Sequence, residues 1–135
     1  MIEPKVRAFL EESLTRGFPK LIGMKLTEIS EGHARIDIEI DERHENIYHR
    51  IHGGVLFSIA DTTGGFAARS TGIQLVTSGS SFDYLRSAHE GSKYIYCVAD
   101  TVKRGKTLIV MDTRVYDDQD TLLCKGSFTY CVIHI

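Results

Sequence analysis

The stretch HGGVLFSIADTTGGFAARSTG, residues 52 to 72, constrains the fold more than any other part of the chain. At 3.6 residues per turn, Val55, Leu56, Ile59, Ala60, Thr63, Phe66 and Ala67 fall on one broad apolar arc, as a core-facing helix requires. The opposite side of such a helix is ordinarily charged. Here it carries Gly54, Ser58, Asp61, Gly65 and Ala68, small residues around one carboxylate, and Arg69 is the only other charge. A helix without a solvated face is normally buried on all sides. The sequence therefore predicts a central helix wrapped by the rest of the chain, with a small-residue stripe along which another backbone or a ligand comes close.

Two features of this helix point to chemistry. Asp61 lies more than two turns inside it, too deep to cap it and at a position for which Asp has poor helix propensity, so a functional carboxylate is the better reading. At the start, His52-Gly53-Gly54 places two glycines where the first amides are unpaired and the helix dipole is positive. Such amides can hold an oxygen that gains negative charge, as an oxyanion hole does. Taken alone, Gly-Gly is equally a plain turn into a helix. Amide donors at the helix start together with a carboxylate two turns along suit attack on a carbonyl.

The chain has 135 residues, 42% hydrophobic and 25% charged, which fits one globular domain over residues 1 to 135 with a real core. A domain this small often completes its site by oligomerising. Its net charge of -2 and pI near 6.3 give no bulk attraction to nucleic acid or to an anionic membrane. Cys97, Cys124 and Cys131 are scattered through apolar alternating stretches, which reads as reduced core thiols in a cytoplasmic protein. Neither a leader pattern nor a run of transmembrane length is expected.

Residues 4 to 16 show helical spacing of Val6, Phe9, Leu10 and Leu14, with Gly17 and Pro19 expected to stop the helix. Strands are predicted from Met24 to Ile29 and, by the strict alternation of ARIDIEI, from Ala34 to Ile40. The segment DERHENIYHRIHGG that follows is too polar for core. Its His44, His49 and His52 match no standard zinc spacing and have no cysteine near, so no metal is expected. Asn46 can orient a water or a carbonyl beside the helix start, or form an Asx turn. After Gly72, residues 74 to 86, 93 to 103, 107 to 117 and 121 to 133 read as four successive strands whose short connections imply antiparallel neighbours. The expected class is α+β, a curved antiparallel sheet over a long central helix with a short N-terminal helix. Arg86 at a strand end, with Lys103, Arg104 and Lys106 in the turn VKRGKT, makes a candidate site for an anionic handle.

Asn46, His52-Gly53-Gly54 and Asp61, with TSGSSFDYLRSA (77 to 88) and VKRGKTL (102 to 108) downstream, together resemble the hotdog-fold acyl-CoA thioesterases of the phenylacetic-acid-degradation type. The resemblance covers nearly the whole chain after the first helix. Ser87 departs from it, where many relatives have proline, and touches no site position. The resemblance implies a helix wrapped in a sheet, two protomers joined into one continuous sheet as the minimal active unit, and often a homotetramer. It further implies Asp61 as the catalytic carboxylate, Gly53 as the oxyanion amide with Gly54 beside it at the substrate, and Asn46 and His52 around the thioester and water. Thr77 would contribute a hydroxyl across the interface, and Arg104, Lys106 and Arg86 would meet the phosphates of coenzyme A, which is part of the substrate rather than a cofactor. Rival readings on the same fold are an acyl-thioester hydratase or dehydratase and a non-catalytic acyl-CoA sensor; Asp61 within the helix favours hydrolysis. Phe57, Phe66, Phe82 and Tyr84 are candidates for an aryl or aliphatic pocket and equally for plain core.

Overall fold

The alternation of ARIDIEI becomes a strand whose Ala34, Ile36 and Ile38 have no exposed surface, while Arg35 and Asp37 between them face outward and pair at 2.9 Å. Repeated strand by strand, this pattern builds one apolar inner surface. The computed structural model describes residues 1–134. In chain order its elements are α1 (Pro4–Ser13), α2 (Gly17–Ile22), β1 (Met24–Ser30), β2 (His33–Glu39), a 3-10 turn (Glu42–His44), α3 (Gly53–Arg69), β3 (Leu75–Tyr84), β4 (Tyr94–Arg104), β5 (Leu108–Asp117) and β6 (Leu122–Val132). The six strands form one antiparallel sheet in the order β1-β2-β4-β5-β6-β3.

The long helix α3 lies on this sheet. Its predicted arc is the buried one: Val55, Leu56, Ile59, Ala60, Thr63, Phe66 and Ala67 pack into the core with Ile95, Cys97, Ala99, Ile109, Met111, Val115 and Phe128 from the strands. Cys97 and Cys124 are buried and Cys131 half-buried, all as free thiols. Among the described residues no helix is long and apolar enough to cross a membrane.

Three expectations are corrected. Of the four strands after α3, β4, β5 and β6 pair in succession as expected, but β3 does not pair with β4: it lies at the sheet edge against β6, and β4 sits between β2 and β5. The connection from 85 to 93 is a crossing, not a hairpin, so its ends are not neighbours. Gly17 and Pro19 do not merely stop a helix; they open α2. Pro19 falls in its first turn, where the missing N–H has no partner to lose, and Gly23 at φ 83° ends it. The small-residue stripe is also partly filled from within the chain. A side chain at Gly65 would collide with the Arg69 guanidinium, and Ala68 is buried. On that side of α3, Gly54, Ser58, Asp61, Thr62 and Arg69 keep access to solvent.

Candidate active site

The start of α3 is built around one peptide. His52 stands just outside the helix with ψ 136°, and its Nδ1 accepts the Gly54 N–H at 2.8 Å. Because Nδ1 accepts, the neutral ring carries its proton on Nε2. The His52 carbonyl accepts from Val55 N–H at 3.0 Å and Leu56 N–H at 3.4 Å. From the end of β3, the Tyr84 hydroxyl donates to the Gly53 carbonyl at 2.8 Å. Tyr84 is exposed over about half its surface, and the partial desolvation of its ring end raises its pKa, so the phenol is a donor. Gly54 is thus engaged, and the Gly53 N–H is the donor at this helix start that meets no acceptor among the described residues. One free amide stands where two were expected.

Asn46 adopts its turn reading. Its side-chain oxygen accepts from Tyr48 N–H at 2.8 Å and Arg50 N–H at 3.1 Å, and its backbone N–H donates to the Arg50 carbonyl at 2.7 Å. The carboxamide NH2 remains for other partners. His44 is fully buried: its Nε2 donates to the Ile22 carbonyl at 2.7 Å and its Nδ1 accepts the Asp41 N–H at 3.0 Å. His49, in left-handed backbone at φ 59°, meets Glu45 at 2.8 Å. The three histidines serve three separate contacts, and among the described residues no group of three metal-ligating side chains converges.

Two turns along α3, Asp61 is half-buried. The Thr77 hydroxyl donates to its Oδ1 at 2.7 Å, and the Tyr130 hydroxyl donates to its backbone carbonyl at 2.7 Å. Thr77 therefore holds the carboxylate of its own chain. Asp61 Oδ2 has no hydrogen-bond partner among the described residues. Arg69, one face further along, donates to the Leu75 carbonyl at 2.8 Å; burial lowers its pKa, opposed by Tyr130 and Asp61.

The basic residues divide. Arg86 lines a cleft of about 280 Å³ at the start of α3 with Arg50, Gly53, Leu56 and Tyr84. Arg104 lies at the other end of α3 near Ala67, Ala68 and Ser70, and meets Glu31 at 3.4 Å. Lys106 follows it in the same turn. One chain does not bring all three to one phosphate site. Of the aromatic candidates, Tyr84, Phe82 and Phe57 form an edge-on column, with ring centroids 5.1 and 5.4 Å apart, that continues to Phe128 at 5.2 Å from Phe57. Phe66 sits apart in the core. Tyr130 and the Tyr84 contact to Gly53 escaped the sequence reading, because both depend on which strand residues face α3.

Residues 48–124 match the family model of the Thioesterase superfamily, a span that includes all of α3. Among curated proteins, the acyl-coenzyme A thioesterase PaaI of Escherichia coli (strain K12) is 30% identical over 100 residues, which cover 74% of this chain and 71% of that protein. A 1,4-dihydroxy-2-naphthoyl-CoA hydrolase of Listeria monocytogenes is 23% identical over 117 residues, 86% of this chain and 95% of the other. The solved E. coli PaaI protein of the phenylacetic acid degradation operon superposes with a TM-score of 0.90 at 24% identity, over 99% of this chain and 97% of its own. A Streptococcus mutans UA159 protein solved with acetyl CoA gives 0.79 at 29% identity, over 87% and 92%. With the family model matching more than half of the chain, and α3 and the sheet in place, the chain belongs to the thioesterase superfamily as a PaaI-like thioester hydrolase of the hotdog fold.

Proposed function

We propose that the protein hydrolyses acyl-CoA thioesters in a site shared by two copies of the chain, with the Gly53 N–H of one copy and Asp61 of the other on either side of the thioester carbonyl. The observation that carries this reading is the spacing on α3. Gly53 and Asp61 are separated by eight helical residues, hence about 12 Å along the axis. A reacting carbonyl needs its oxyanion donor and its base each within about 3 Å. One helix cannot supply both to one substrate.

The edge strand β3 supports the second copy. It pairs with β6 alone and leaves Val76 to Ser81 exposed, a row of unpaired backbone groups of the kind another strand covers. Thr77, which holds Asp61, lies near the start of β3, and Tyr84, which touches Gly53, ends it. Antiparallel pairing of two copies about the middle of β3 sets the Thr77–Asp61 end of one beside the Tyr84–Gly53 end of the other. The same twofold makes a homodimer the smallest active unit, and two such dimers a homotetramer.

In that site Asp61 acts through its free Oδ2. It takes a proton from a water that attacks the carbonyl carbon, or attacks that carbon itself to give a mixed anhydride that water then opens. Either way the carbonyl oxygen gains charge beside the Gly53 N–H, and coenzyme A leaves as a thiolate that takes up a proton. To His52 Nε2–H and the Asn46 NH2, both without a partner among the described residues, this reading assigns the holding of the thioester and water. The phosphates of coenzyme A would meet Arg86 at the cleft by Gly53; Arg104 and Lys106, at the far end of α3, would join them only from another copy. Water and the thioester suffice, so no cofactor or metal enters. The free cysteines fit a cytoplasmic setting.

The test is thiol release from a panel of aliphatic, phenylacetyl and hydroxybenzoyl-CoA thioesters, with wild type and Asp61→Asn side by side. The variant should keep its oligomeric state and lose at least about a hundredfold in kcat. Near-normal turnover by Asp61→Asn would remove Asp61 from the mechanism, and loss of an enoyl double bond without thiol release would replace the thioesterase by a hydratase.

A further inference from the structure

We infer that Tyr84 is a positioning residue for the oxyanion donor, acting with His52 as a two-point clamp on the peptide between Gly53 and Gly54. That peptide is planar. Its carbonyl, on Gly53, accepts the Tyr84 hydroxyl at 2.8 Å, and its N–H, on Gly54, donates to His52 Nδ1 at 2.8 Å. Two bonds at opposite edges of one plane fix its rotation about the line joining the two Cα atoms. The preceding peptide is fixed on its carbonyl side by Val55 N–H and Leu56 N–H, which both reach the His52 oxygen. Every polar group around Gly53 is then engaged except its own N–H, which lies in the His52–Gly53 plane, and the clamped plane that follows holds the Gly53 backbone on its other side.

The clamp answers a specific weakness. Two consecutive glycines have the widest backbone freedom available to a chain, and a helix start lacks the preceding turn that fixes later peptides. Gly53 also has no side chain with which neighbours could hold it. Tyr84 supplies the missing contact: its ring carbons and hydroxyl lie 3.4 to 3.5 Å from where a Gly53 Cβ would stand. The ring is itself braced edge-on by Phe82, 5.1 Å between centroids, which Phe57 and Phe128 support from the core at 5.4 and 5.8 Å. The hydroxyl thus ties the Gly53 backbone to a rigid aromatic column. Because Tyr84 shares β3 with Thr77, the same strand that steadies Asp61 also steadies the amide it must meet in the partner copy.

The kinetic part of this inference rests on the thioesterase reading; the amide part does not. Tyr84→Phe removes the hydroxyl and keeps the ring. Its kcat for the best acyl-CoA should fall about tenfold with KM within about twofold, since a loosened donor weakens transition-state contacts more than substrate binding. Phe82→Leu serves as the packing control: it should lower the thermal midpoint more than Tyr84→Phe does and leave kcat closer to wild type. With glycine-selective 15N labelling, hydrogen exchange at the Gly54 amide should accelerate about tenfold in Tyr84→Phe. Unchanged Gly54 exchange overturns the clamp whatever the activity, and wild-type kcat in Tyr84→Phe overturns its part in catalysis. A wild-type protein inactive on every thioester would instead defeat the thioesterase reading and leave the exchange measurement to decide the clamp.

Discussion

Thr77 and Asp61 meet at 2.7 Å, and that single bond decides which carboxylate oxygen is left free for the proposed reaction. With Oδ1 held, Oδ2 points away from Thr77 in one defined rotamer. Thr77→Val keeps the branched shape and deletes the donor. It should lower kcat about tenfold with little change in thermal stability, the size expected for one lost hydrogen bond to a charged group. Steady-state kinetics with unchanged kcat would show that Asp61 is oriented by something else. At this scale the sequence singles out candidate residues but not their hydrogen-bond partners. Asp61 and Gly53 stand out because helical periodicity alone puts a carboxylate off the apolar arc and glycines at the first amides. Thr77, Tyr84 and Tyr130 reach them only through strand register, and a bulge between Thr77 and Gly79 changes which β3 residues face inward.

Strand β3 is the element on which the site depends, since it carries both Thr77 and Tyr84 and presents the free edge. Its attachment to β6 includes one tight place. Gly126 of β6 lies opposite Phe82, and a Cβ there would stand 2.9 Å from the Ser81 carbonyl as well as against the Phe82 ring. Gly126→Ala would have to push β3 outward, at a cost of about 1–3 kcal/mol. Urea unfolding followed by circular dichroism should show that loss, and an unchanged midpoint would mean that β3 yields without strain. The six strands themselves were legible from alternation and turn residues. Their order was legible only in part: β4, β5 and β6 follow one another as in the sequence, whereas the place of β3 at the edge is set by the crossing from 85 to 93, which carries no local signal. Pro19 misled for a related reason, since a proline that ends one helix and one in the first turn of the next look alike in sequence.

Across the whole molecule, the central claim is that neither chain alone holds a complete site. Two inactive variants can test it by complementation. Gly53→Pro removes the N–H at the first helical position, where proline is tolerated, and the extended His52 at ψ 136° suits a following proline. Asp61→Asn removes the carboxylate. In a mixed dimer of the two, the Gly53 of the Asp61→Asn chain faces the Asp61 of the Gly53→Pro chain, which restores one site and leaves the other doubly defective. After unfolding and refolding an equimolar mixture, the two-chain site predicts recovery of about a quarter of wild-type thiol release, half the dimers being mixed with one working site of two. A mixture as inactive as its separately refolded components would contradict it.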